Sequence, residues 1–514
     1  MKRSEADIPQ QRKRELRYQE IQGSRDQILE ENRTQKNEIE KEELTEQAQL
    51  REEIREERAE MKRDSDRLGT EPVHPLLLKM SAPLAVSMFV MALYNIVDSI
   101  YLGHYSTEAL TAVSYCFPFQ NLNVAFGIGT AVGMSALLSR YLGAKQYDKA
   151  DKVAHNGFIL ACINYTLFFV IGCFAEPIMK LMTSDSTSAQ IIADGTIYLR
   201  ITQWLSIAPM MQSMFERLLQ GTGKTNYIFY MQISGTVFNA IVDPILIFGL
   251  LGLPAMGAKG AALATVFGQI LGCILGITFN RKFNKEVELS IRKVRPHWQT
   301  MKDIYRIGIP SIVLQSVGAV MTFSLNRILS GFSDLAVATF GVYFKLQSFV
   351  FMPLFGMNNA SVPIIAYNYG ADRKDRLEET MRLGVRYGIG LMSVGTLIFW
   401  LFPEQLMALF KAPPEMVAMG VVALHIVSLN FPFAGYAIMR GAAFQALGKS
   451  VYSMNISLVR QLLIIIPLAF IFAKIGGVNM VWWAFPCAEV AGMTMSVLYT
   501  RRIRRTILSK MTPR

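Results

Sequence analysis

Aromatic side chains are almost missing from residues 1 to 67, and acidic ones are scarce beyond them, so two different polymers are joined near Gly69. The first 67 residues hold 16 Lys/Arg and 19 Asp/Glu, and the rest hold 36 Lys/Arg against 21 Asp/Glu. The later basic excess sits in short patches between long apolar runs, which fits membrane topology and excludes a nucleic-acid face. Cysteine and histidine are few, five of each. Cys116, Cys162, Cys173, Cys273 and Cys487 all fall in apolar runs without CxxC or Cys/His spacing, which excludes a zinc site and predicts buried packing residues. A secretory signal is also absent, because the charged N-terminus delays the first apolar stretch to Leu76, and that stretch is expected to stay as a membrane helix. GTGKT (221–225) lacks the GxxxxGKS/T spacing, so nucleotide hydrolysis is excluded and energy must come from an ion gradient or another subunit.

What is present is apolar length. A bilayer core about 30 Å thick needs about 20 apolar residues per helix. Twelve such segments are predicted at 76–102, 111–139, 153–175, 190–219, 226–250, 258–280, 303–331, 336–366, 380–402, 416–446, 451–474 and 478–500. The fold class expected is an all-α polytopic membrane protein. With the N-terminus inside, the alternate loops and the C-terminal tail hold about 22 Lys/Arg, against about four (Lys180, Lys259, Lys411, Lys474) outside, so both termini are expected in the cytoplasm of a cell-membrane protein.

Residues 1–67 carry many i,i+4 charge pairs, as in EEIREERAE (52–60), and predict a charged cytoplasmic helix or a solvated, partly disordered extension, without the heptad of a coiled coil. They are also the place for any protein partner. Beyond them the chain repeats itself. KMSAPLAVSM (79–88) is echoed by RIGIPSIVLQ (306–315), SRYLGAKQYDKA (139–150) by AYNYGADRKDRL (366–377), and QGTGKT (220–225) by QALGKS (445–450). The first two echoes are offset by 227 residues and the third by 225. Six spans per repeat is an even number, so the two halves run in the same sense and form two six-helix pseudo-symmetric lobes with a cavity between them. The expected division is 68–280, a linker at 281–302, 303–505, and a basic tail at 506–514.

Ionisable residues inside a span are costly and default to functional hypotheses. Asp98, Asp243 and Glu489 are the acidic candidates; Arg200, Arg327, Lys345, Arg440 and Arg460 are the basic ones. Asp98 and Asp243 share a depth in the outer half of the first lobe. Asn239 lies one turn from Asp243 on the same face, and Pro244 frees a carbonyl near Ala240. Two acids in such a site cannot easily both be ionised, so the pair is expected to hold a proton or a sodium ion. PMMQSM (209–214) reads as packing or as a soft wall for apolar ligands. Gln120, Met210, Met214 and Lys345 are the candidate cavity residues.

YNIVDSIYLG (94–103), SRYLGAKQ (139–146), LLQGTGKT (218–225), NAIVDP (239–244) and GAKGAALAT (257–265) together resemble the multidrug and toxic compound extrusion (MATE) transporters of the prokaryotic branch, over about 66–505. The resemblance implies two lobes around a V-shaped cavity and export of amphipathic, often cationic compounds in exchange for protons or sodium. It also implies a coupling site in the first lobe, with an Asp in span 1, an Asn and Asp in span 5 and a Thr in span 6, which map onto Asp98, Asn239, Asp243 and Thr265. Other branches use acids in spans 7 and 10, where this chain has only Asp303 and Glu415 at the edges, and Asn326 stands opposite Asp98. Two readings compete with antiport. A lipid-linked precursor flippase would use Arg200, Lys345 and Arg440 at a lateral opening, and a membrane anchor would act through residues 1–67.

Overall fold

The computed structural model describes residues 67–183, 188–289, 295–410 and 412–511. The expected charged helix at 1–66, the middle of the linker and Lys411 lie outside them. Every regular element among the described residues is helical. Span 1 is Val73–Tyr105, span 2 Thr107–Gly143, span 3 Tyr147–Cys173, span 5 Thr225–Phe248 and span 6 Gly257–Phe283. In the second repeat, span 7 is Trp298–Ser330, span 8 Asp334–Gly370, span 9 Lys374–Leu401 and span 12 Ala484–Thr506. Helix therefore replaces both ends of the expected 281–302 linker.

Spans 4, 10 and 11 depart from simple rods. Span 4 splits into Ala189–Trp204 and Ile207–Gly221, and span 10 into Pro414–Ser428 and Phe431–Ala446, bent by 47°. Each break lies just before a proline, Pro209 or Pro432, whose missing N–H cannot bond the carbonyl four residues back. In span 10 that carbonyl, on Ser428, accepts instead from the Thr396 hydroxyl of span 9 at 2.9 Å. Span 11 runs as Ser450–Leu458, a π-helical stretch Val459–Ile465, and Ile466–Val481 with a kink at Gly476 and Gly477. Nine described helices are each long and apolar enough to cross a bilayer, and ten if the bent span 10 counts as one. The two pieces of span 4 are too short singly, and span 12 holds Glu489 and ends in Arg501, Arg502, Arg504 and Arg505.

The repeat is visible in the backbone itself. Lys145 and Asp372, 227 apart, both take positive φ (58° and 54°) in the loops after spans 2 and 8. Gly223 and Gly448 do the same after spans 4 and 10. Short helices not expected from the sequence follow spans 3 and 9, at Ala175–Met182 and Pro403–Ala408.

The lobes meet through spans 1, 2, 7 and 8, with span 2 on span 7 and span 8 on span 1. Glycine sets how closely they approach. A methyl group on Gly129 would strike Ile312 of span 7, and one on Gly356 would strike Ala85 of span 1; Gly129 and Gly356 are 227 apart, and so are Ala85 and Ile312. At the ends of spans 2 and 8, Gly143 lies against the Tyr367 carbonyl and Gly370 against the Arg140 carbonyl, the same reciprocal relation. Further in from this end the lobes are pinned again. Arg217 and Gln220 of span 4 bond Asn359 of span 8 at 3.1 and 2.6 Å, and the Tyr305 hydroxyl donates to Asn164 at 2.9 Å. The short helix Arg67–Thr70 sits at the same end. Leu68 is buried against Gly223 of the first lobe, while its carbonyl accepts from Asn368 (3.0 Å) and Arg376 (3.2 Å) of the second. Arg373 bonds the Gly69 carbonyl and Arg376 the Glu71 carbonyl.

The cysteines correct the sequence reading. Only Cys116 is buried; Cys273 is half-buried, and Cys162, Cys173 and Cys487 are exposed on the helix surface. An apolar position in a membrane span can face lipid as readily as core, so hydropathy alone did not place them.

Candidate ion-coupling site in the first lobe

Spans 1, 5 and 6 pack together, and their register decides what meets. Spans 5 and 6 cross where a methyl on Gly235 would stand 3.0 Å from the Gly268 carbonyl oxygen, and one on Gly268 2.9 Å from that of Gly235. The crossing also brings Asn239, one turn along span 5, against Gly268. Asp243 follows one turn later, fully buried, and the helix continues through Pro244. Asp98 lies seven residues before the end of span 1 and Asp243 five before the end of span 5. At about 1.5 Å per residue the two are level within about 3 Å.

The Tyr94 hydroxyl links the elements. It donates to Asp243 Oδ2 at 3.0 Å, lies within reach of the Thr265 side chain, and has Asp98 as a charged neighbour. Tyr94 and Asp98 are four apart and share a face of span 1. The structure thus gathers Asp98, Asp243 and Thr265 around Tyr94, a residue that sequence reasoning did not select, with Asn239 one turn before Asp243 against span 6. The spacing of Tyr94 from Asp98 was the available signal.

Charge and hydrogen bonding at the site are unbalanced. Asp98 Oδ1, Asn239 Oδ1 and Asp243 Oδ1 are out of contact with solvent and receive no hydrogen bond from any described residue. Among the described residues, the side chains acting on Asp243 are Asp98 and Tyr94, neither of them a cation. Such oxygens suit a proton or a small hard cation. A third carboxylate of this lobe, Glu216, is different: the amides of Gln212 and Gln232 donate to it at 2.9 and 3.3 Å.

The candidate cavity residues do not form one wall. Gln120 donates to the Tyr198 hydroxyl at 2.5 Å, and both Asp98 and Asp243 act on that tyrosine, so Gln120 belongs to the surroundings of the carboxylates. Met210 and Met214 are fully buried, Met210 beside Gly127, and here pack the lobe rather than line an open cavity. Lys345 is exposed, its ammonium 6.0 Å from the Phe410 ring. Arg200 and Arg440 lie over Trp204 and Tyr436, in neighbourhoods apart from that of Lys345.

The sequence profile of the MatE family matches this chain twice, over residues 83–245 and 310–471. The chain belongs to the MatE family. Its second match begins 227 residues after the first, the offset of the internal echoes. MATE proteins are transporters, so the chain is a multi-pass membrane transporter and not an enzyme. A multidrug export protein, MepA, of Staphylococcus haemolyticus is 25% identical over 436 residues, covering 84% of this chain and 94% of its own length. An FAD transporter of Shewanella oneidensis is 24% identical over 434 residues, covering 83% and 94%. A crystal structure of MATE in the straight conformation superposes with a TM-score of 0.80 at 23% identity, over 86% of this chain and 98% of that one. An outward-facing multidrug resistance MATE transporter gives 0.79 at 23% identity, over 86% and 98%. These likenesses show the two-lobe, twelve-helix fold.

Proposed function

We propose that the chain is a secondary antiporter that exports amphipathic, often cationic compounds in exchange for protons or sodium ions bound in the first lobe. The observation that carries this reading is the trio of buried oxygens on Asp98, Asn239 and Asp243, which receive no hydrogen bond from any described residue, while no cationic side chain among the described residues acts on either carboxylate. A bound proton or sodium ion balances that charge. Exchange follows when ion and cargo favour opposite states of the transporter. The Lys/Arg asymmetry of the loops supports cytoplasmic termini, and on that reading the pinned end is cytoplasmic and the opposite end is the one that opens outward. The likeness to multidrug export proteins supports a drug-like cargo, and the similar likeness to an FAD transporter brings a flavin nucleotide into the test.

The test is transport in vesicles holding the purified protein under an imposed pH or sodium gradient. The wild-type chain should drive a cationic dye against its gradient, and Asp98→Asn or Asp243→Asn should lower that flux about tenfold or more. Undiminished flux in both variants would reject first-lobe coupling. Flux of the flavin but not of the dye would change the cargo class. Removal of residues 2–65 should leave efflux in place; on the anchor reading the wild type would show no efflux and the deletion would cost the chain its protein partner.

A further inference from the structure

The second lobe contains a counterpart of the coupling site that is already neutral. Glu489 of span 12 is buried, with 4% of its surface exposed, and Arg460 of span 11 donates through one Nη1 to both carboxylate oxygens, at 2.8 and 3.1 Å. The echo QGTGKT/QALGKS fixes the register at the start of spans 5 and 11, and its offset of 225 puts Arg460 at the position of Gly235. The helix contacts agree. In the first lobe Gly235 meets Gly268 of span 6, whereas in the second Arg460 lies on Gly492 of span 12, where a methyl would stand 3.3 Å from its Cδ. The same offset replaces Asn239 with Ile464 and Asp243 with Leu468, so the acceptors of the first lobe are apolar in the second. The carboxylate has moved to span 12 and acquired a cation of its own. Span 11 carries Arg460 on its π-helical stretch, a wider turn that commonly marks functional positions.

We propose that Arg460 is a tethered counter-cation: it fills in the second lobe the role that the transported ion fills in the first, and so confines ion coupling to the first lobe. The proposal rests on the first-lobe reading given above. Arg460 is a positioning and specificity-determining residue; it does not touch the transported ion. A buried carboxylate deprived of its partner must take up another cation or lose its place, whereas a pair replaced by apolar groups needs neither.

The experiment compares full-length wild type, Arg460→Met, Glu489→Leu and the double variant Arg460→Met/Glu489→Leu in vesicles. It measures flux against proton and sodium concentration together with thermal stability. Arg460→Met should lower flux about tenfold at ordinary ion concentration, recover at raised ion concentration and follow a steeper ion dependence, because Glu489 now takes an ion. Glu489→Leu should lose flux with no recovery at any ion concentration, since it strands a cation. The double variant should recover flux with the ion dependence of wild type. Two results overturn the proposal: an unchanged ion dependence in Arg460→Met, which leaves the pair a purely structural contact, or a double variant that has lost its ion dependence. Asp243→Asn is measured in parallel. If it keeps the wild-type ion dependence, the first-lobe reading fails by that result alone, while the variants at 460 and 489 still decide the role of Arg460.

Discussion

Asp243 and Glu489 are both buried acids inside a span, and the donors they meet give them different surroundings. Glu489 meets a guanidinium and is neutral as a pair, whereas Asp243 meets one phenol and another acid. The position of Asn239 and Asp243 depends on two residues with no polar side chain, Gly235 and Gly268. Gly268→Ala would put a methyl 2.9 Å from the Gly235 carbonyl oxygen and 3.1 Å from Asn239 Cβ, so span 5 must shift and carry its polar face with it. Overpacking of this kind costs about 1–3 kcal/mol. The expected outcome is a lower melting temperature of the purified protein and an ion half-saturation raised severalfold; an ion response identical to wild type would show that the crossing does not set the site. At this scale the acids were legible because charge is conspicuous in an apolar run. Tyr94, Gly235 and Gly268 were not, because tyrosine and glycine are common in membrane helices and only a neighbouring helix gives them a role.

Among the elements, span positions could be read from hydropathy, but their breaks could not. Pro83, Pro118, Pro244 and Pro310 sit inside continuous helices, while Pro209 and Pro432 follow breaks. At the break in span 10 the carbonyl that Pro432 frees, on Ser428, is satisfied by Thr396 of a neighbouring helix, a partner that hydropathy does not reveal. The segment before span 1 is a second case. RLGT looks like the end of a polar tail, yet Leu68 is 1% exposed and three backbone carbonyls at 68, 69 and 71 are held by Asn368, Arg373 and Arg376. Hydrogen bonds from a charged donor contribute about 1.5–3 kcal/mol. Arg376→Ala should therefore speed amide hydrogen exchange at residues 68–76 about tenfold. Lys79→Ala, which loses only an exposed contact to Glu71 at 3.9 Å, should leave that exchange nearly unchanged. Equal exchange in the two variants would mean that Arg376 does not hold the segment.

In the whole molecule, the repeat predicted two lobes but not that its echoes would touch each other. SRYLGAKQ and AYNYGADR meet at the pinned end, with Gly143 on the Tyr367 carbonyl and Gly370 on the Arg140 carbonyl, so one two-fold relation generates both contacts. Sequence cannot show this, because an echo reports equivalence and not proximity. The consequence is that closure of this end depends on two glycines at once: a side chain at either separates spans 2 and 8 at their tips, and intact packing at the other cannot compensate. The Arg140 carbonyl packs against Gly370, next to Tyr369, so cysteines placed at 140 and 369, in a background without the native five, report closure by cross-linking with a short bifunctional thiol reagent. Gly143→Val and Gly370→Val should each abolish most of that cross-link and most of the transport. Gly390→Val, at a position where an added side-chain carbon meets nothing within 4 Å, should preserve both. A full cross-link together with lost transport in Gly370→Val would show that the glycine serves another step. Lost cross-link with normal transport would show that this contact is not part of the cycle, and the gate would then have to lie deeper, where Gly129 and Gly356 cross spans 7 and 1.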